Sequence, residues 1–407
     1  MFAVYLLFFF LGAFLVMVTM FSAIRTVVVP RGERVVLTRI LFSLVRWCFL
    51  VAASYMKDYK ARDAVLARYA PTSLILLPVL WATGVLLGFA AMFWSIGARP
   101  ISHTFELSGS SITTLGFHTA DNHWELALAV PEGLIGIGLV ALLISYLPSI
   151  YNLFRERETM CTGWNIRAGS PPTVAVVVNR FHEVGILSDM EDTWHEWEQW
   201  FVSNEEVHLS YPALAFFRSP TSHQSWVTTA GNVLDTAAFI ETSVDVPHSP
   251  SSHLCLQAGY VALRRIAENY DASFDQNPSP DDPISISRQE FDKVWDELAA
   301  NGVPMMEDRE KAWREFSGWR VNYDVPLRMI CQLVRAPYAQ WSSDYVEEVH
   351  GRRQFPFNIR KLFASQWWYR ISRQDDKDDD DGRDDGRDSG KDVDGDVGKQ
   401  TEPGTSA

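Results

Sequence analysis

"SSITTLGFHT" (Ser110–Thr119) lies between two long apolar runs, and its reading decides the fold. Two serines, three threonines, a glycine and a histidine make poor contacts with lipid. Non-helical backbone at membrane depth is tolerated only where it is buried in protein or lines a wet cavity. The stretch therefore suits a loop that dips into a membrane without touching the hydrocarbon.

The flanking runs, residues 72–98 and 126–150, are long enough to cross about 30 Å of hydrocarbon as helices. Residues 1–24 form another such run and carry no charge. A weaker candidate at 37–56 contains Arg39 and Arg46, and a central arginine costs about 3 kcal/mol on insertion scales. Basic residues flank it on both sides: Arg25, Arg31 and Arg34 before, and Lys57, Lys60, Arg62 and Arg68 after. Residues 26–71 thus read as a basic segment carrying an interfacial helix or a weak additional span. Arg155 and Arg157 follow the last run, whereas 99–124 hold a single arginine. Basic flanks face the cytoplasm, so 99–124 are expected outside.

An external re-entrant loop has a known use. Ion filters present backbone carbonyls in place of an ion's hydration shell. A short helix over about His103–Thr113 can descend and aim its negative dipole end at a pore. Thr113, Thr114, Leu115, Gly116 and Phe117 would return as the filter, with Gly116 supplying backbone angles that other residues resist. His118 and Asp121 would then stand at the pore mouth.

At these residues the chain resembles the pore module of the potassium channel family. The family core reads roughly T-T-x-G-Y/F-G, and this chain reads Thr113-Thr114-Leu115-Gly116-Phe117-His118. In "PEGLIGIGLVALLISYLP", Pro131, Gly133, Gly136 and Gly138 fall where the family's inner helix bends. The resemblance spans residues 72–152: a helix at 72–98, a pore loop at 101–121 and a helix at 126–150. It implies a monovalent cation, potassium first, as the transported partner, and a homo-oligomer of four chains in a lipid bilayer. His118 replaces the second filter glycine and Thr119 its acidic follower. A non-conducting membrane sensor or scaffold with the same fold is therefore the competing reading.

Residues 160–350 read as an all-α cytoplasmic domain. Thr173–Phe201 carries apolar positions at helical spacing, as does 253–270. "SRQE" (Ser287–Glu290) is a capping box. "FFRSPTSHQSW" (Phe216–Trp226) reads as a loop with a helix cap at Ser222 or Ser225. "WHEWEQW" (Trp194–Trp200) has no histidine four residues after His195, so it is not the H-E-x-x-H zinc pattern and reads as a tryptophan-rich packing helix. The four cysteines, Cys48, Cys161, Cys255 and Cys331, form no C-x-x-C pair. No pattern points to an enzyme, a cofactor or a metal.

Residues 351–373 interleave arginines with Phe, Trp and Tyr, which suits an amphipathic segment on anionic lipid or a docked helix; nucleic acid is a poor match. The formal net charge is −14, and Asp375–Ala407 contributes −8 of it, with 12 Asp and 1 Glu against 5 Lys and Arg. Such a tail is expected to be disordered over 374–407. The whole reads as an all-α, multi-pass protein of the plasma (inner) membrane.

Overall fold

In the computed structural model, residues 2–27, 35–169 and 172–343 are described. The expected amphipathic segment at 351–373 and the acidic tail lie outside them. The described residues contain helices and no strand; Val244 and Met305 form one isolated bridge.

Four helical segments are long and apolar enough to cross a membrane: Phe2–Val27, Val36–Ser54, Tyr59–Ser95 and His123–Ala168. Helix α1 (Phe2–Val27) runs antiparallel to α4 (Tyr69–Ser95). Tyr5 meets Trp94, Gly12 meets Gly88, Thr19 meets Gly84, and Trp81 donates to the Ser22 hydroxyl at 3.2 Å. A Cβ on Gly12 would lie 2.4 Å from the Gly88 carbonyl oxygen, so the two backbones touch because neither residue has one. Small residues provide this contact where lipid offers helices no hydrophobic reason to associate.

Helix α2 (Val36–Ser54) begins beside the end of α1, where Thr38 and Thr26 share a hydrogen bond at 2.9 Å. Its centre is the unusual part. Arg46 donates to the Leu333 carbonyl at 2.8 Å and lies 4.8 Å over the Phe216 ring. Val45 packs with Tyr69 and Ala70 in the first turn of α4. Between α2 and α4, the short α3 (Tyr59–Ala67) is capped by Asp58.

Helix α5 (Ile101–Ile112) is the expected short helix, beginning two residues earlier. Helix α6 (His123–Ala168) is capped by Asn122 and continues unbroken through Pro131 and Pro148. The sequence reading ended this helix at 150. Apolar periodicity fades there, but Tyr151–Ala168 stays helical because its other face packs against the C-terminal helices, burying Arg157, Cys161, Trp164 and Asn165.

The C-terminal helices are α7 (Val174–Val184), α8 (Glu191–Ser210), α9 (Trp226–Ser243), α10 (Pro250–Asn269), α11 (Arg288–Ala300), α12 (Arg309–Arg320) and α13 (Asp324–Val334), with a 3-10 turn at Pro212–Phe216. Helix α9 is buried on every face, as a central helix must be. The helical spacing over Thr173–Phe201 is divided in two at Gly185, whose φ of +78° ends α7. Ser287 and Glu290 form the expected capping box. Ser225 takes the N-cap position of α9 without a side-chain cap bond. Trp194 and Trp197 point inward against Trp164 and Trp200 packs on Trp197, while His195 pairs at the surface with Glu198 at 3.3 Å.

Arginines tie this helical cap to the apolar helices. Arg157 donates to the Leu214 and Phe217 carbonyls at 2.9 and 2.8 Å and pairs with Glu158. Arg218 pairs with Asp63 of α3 and donates to the Val334 and Arg335 carbonyls at 2.8 and 2.9 Å. Arg46 and Arg218 thus satisfy carbonyls at the C-terminal end of α13, where the helix dipole favours cations.

Candidate functional site

Helix α5 lies between α4 and α6, and its last turn abuts α6 closely. A Cβ on Gly136 would fall 2.0 Å from the Ile112 carbonyl oxygen, and one on Gly133 would lie 3.3 Å from that of Ser111. Only glycine at 136 admits this approach. Gly138 faces open space. The expected bending residues Pro131, Gly133, Gly136 and Gly138 thus lie within a continuous helix, and Gly136 seats the end of α5.

Beyond Ile112 the chain leaves helical geometry at the expected residues. Thr113 caps α5, Thr114 has φ +57° and Gly116 φ +67°. A positive φ is costly for a β-branched threonine. The returning strand of chain is pinned by Ser110, whose hydroxyl accepts from the His118 N–H at 3.0 Å and donates to the His118 carbonyl at 2.9 Å. Phe117 reaches back over Gly109. Leu115 and Phe117, on either side of Gly116, are nonetheless 73% and 62% exposed, a large apolar surface for so short a loop.

His118 and Asp121, expected at a pore mouth, are joined by two residues that sequence reasoning missed, His103 and Glu125. His118 Nε2 lies 2.6 Å from His103 Nδ1, and His118 Nδ1 lies 3.6 Å from Glu106. His103 Nε2 faces Asp121 Oδ2 at 3.7 Å and Glu125 Oε2 at 3.8 Å. Glu125 is buried, and its Oε2 accepts from the Asp121 N–H at 2.8 Å. A signal for Glu125 does exist in the sequence: Asn122-x-x-Glu125 is a helix-start pattern, with Asn122 accepting from the Trp124 and Glu125 N–H groups at 3.0 Å. His103 carries no such signal.

A third missed residue is Glu132, fully buried inside the apolar run of α6. Its carboxyl meets the Ser108 hydroxyl, which also lies 3.0 Å from the Leu86 carbonyl. One hydroxyl proton cannot serve two acceptors. The hydroxyl therefore serves one of them at a time, and the other carboxylate oxygen, Glu132 Oε2, has no hydrogen-bond partner among the described residues. A charged type within an apolar segment is a functional candidate by its cost alone.

Other groups singled out in the sequence do not assemble. His195 meets Glu198 and Gln199 at the surface, and Cys48 is exposed while Cys161, Cys255 and Cys331 are buried. Burial pushes the Cys255 thiol well above its ordinary range, which leaves it unreactive.

No family model, curated protein or solved structure matches this chain.

Proposed function

We propose that this chain is one subunit of a potassium-channel-like membrane protein that conducts monovalent cations through an oligomeric pore. The observation that carries this reading is the order helix, short helix, left-handed return loop, helix, with the loop at Thr113–Phe117. One loop cannot encircle an ion, so the reading requires several copies, with four as the expected number. Exposed apolar side chains support it: Leu115 and Phe117 on the loop, and Leu126, Val130, Leu134, Ile137 and Ile144 along α6 are exposed in the single chain.

In this reading the loop is external and the helical cap cytoplasmic. Helix α2 then lies along the cytoplasmic boundary rather than across the bilayer. The support is that its central Arg46 binds the cap at Leu333, which spares an arginine the cost of the bilayer centre. Gly136, as the seat of α5, would couple movement of α6 to the filter.

The competing reading, a non-conducting sensor or scaffold, draws support from His118, whose main chain and ring are both bound within its own chain. Reconstituted protein in vesicles separates the two. Cation-driven flux should appear with a potassium or sodium gradient and be absent from protein-free vesicles. No flux with either ion, from protein shown to be inserted and oligomeric, favours the scaffold.

A further inference from the structure

The geometry points to a divalent metal site of the kind zinc occupies, formed by His103 Nε2, Asp121 Oδ2 and Glu125 Oε2. The three atoms lie within 4.8 Å of one another. The two histidine–carboxylate separations, 3.7 and 3.8 Å, are too long for hydrogen bonds. They suit ligands that share an ion. Tetrahedral zinc with bonds of about 2.0–2.1 Å holds its donors roughly 3.3–3.4 Å apart. Closing that gap takes a small turn of the Asp121 side chain, which is 76% exposed, and an approach of about 0.4 Å between His103 and Glu125.

Two further observations support a ligand here. His103 is nine-tenths buried, yet its Nε2 makes no hydrogen bond among the described residues and is aimed at two carboxylates. Its other nitrogen is held at 2.6 Å by His118. Metal-bound histidines are oriented in this way, by a partner on the nitrogen that does not bind the ion. The donor set also selects the metal. Calcium takes six to eight oxygen ligands and magnesium keeps near-octahedral oxygen geometry. One imidazole and two carboxylates, with a fourth position open to water, fit zinc or a neighbouring first-row ion.

The ligands come from the first turn of α5, the loop and the first turn of α6. A bound ion would tie the end of the return, at Asp121, to the starts of α5 and α6. The inference names a ligand for the same loop as the proposed pore. It does not depend on conduction, because its test is binding by the purified chain. Absent flux leaves it standing, and absent zinc binding leaves the pore reading standing.

The experiment is a zinc titration of full-length, tag-free protein in detergent, against a chromophoric zinc competitor, with calcium as the control ion. The expected result is one saturable zinc site per chain, no competition by calcium, and binding weakened at least about tenfold in both Asp121→Asn and His103→Gln. Asp121→Asn guards against misfolding as an explanation, because the side chain is exposed. His195→Gln, at a surface histidine remote in sequence, should bind as the parent does. A parent that binds no zinc, or Asp121→Asn and His103→Gln variants that bind it as tightly as the parent, would overturn the site.

Discussion

The α12–α13 network and the loop mouth both gather acidic and basic side chains, but they end in opposite states. In the cap, buried Arg320 touches Asp235 at 2.5 Å, Asp324 at 3.0 Å and the Trp341 carbonyl at 2.5 Å, and Tyr323 donates to Asp235 at 2.8 Å. Arg320 meets a partner in each direction. At the loop mouth, His103 stops 3.7 and 3.8 Å short of its two carboxylates. A closed set holds a fold together. An open set, with two members buried, is where we propose that a ligand completes the bonding.

This contrast predicts a ladder of effects. The largest belongs to the closed set. Arg320→Met should cost about 3–5 kcal/mol of stability by leaving Asp235 buried without its cation and Asp324 with Arg328 alone, at 3.8 Å. Thermal or denaturant unfolding of the full chain measures it. Adding Asp235→Leu to that variant should recover part of the loss. A single variant as stable as the parent would mean the network is not closed.

Next is the membrane pair. Ser108→Ala removes the hydroxyl that Glu132 reaches and should cost about 1–3 kcal/mol, the penalty for an orphaned buried polar group. Unfolding in mixed detergent reads this. If Ser108→Ala is neutral while Glu132→Gln is disruptive, Glu132 has a different partner.

How much of this was legible in the sequence follows from the same distinction. Apolar runs announced α1, α4 and the first half of α6, and a capping box announced α11, because these patterns are local. The short α5 and the left-handed Gly116 were legible from one loop and its flanks. The loop's role remains a proposal. The break at Gly185 was hidden because apolar spacing continues on both sides of it. The second half of α6 was hidden because it is held by distant helices rather than by its own pattern. His103 and Glu125 stand 22 residues apart in number and meet only when α5 and α6 start side by side.

A smaller effect lies at His208, next to the arginine joint. Burial, and then the charge of Arg157, hold its pKa down to about 3. The folded chain therefore resists a proton that the unfolded chain accepts near pH 6.5. Stability is fully present above that value and is lost as pH falls below it towards 3. Between pH 7 and pH 5 this group should remove roughly 2 kcal/mol at most. His208→Gln should flatten that part of the profile; an unchanged slope would show that other groups govern it.

The smallest effect should come from a surface pair. Arg288 contacts exposed Glu310 at 2.8 Å, and Glu310→Gln should change stability by about 0.5 kcal/mol or less, because solvent screens the interaction. A loss above about 1 kcal/mol would erase the distinction between open, exposed contacts and closed, buried ones.

The most direct test of the central claim is cation flux through Gly116→Val in reconstituted vesicles. Gly116 has φ +67° with open space around it, so valine strains the loop backbone without colliding with a neighbour. The account predicts flux by the parent and its loss in Gly116→Val, with insertion and oligomeric state unchanged. Equal flux from parent and variant would contradict the assignment of Thr113–Phe117 as the cation path.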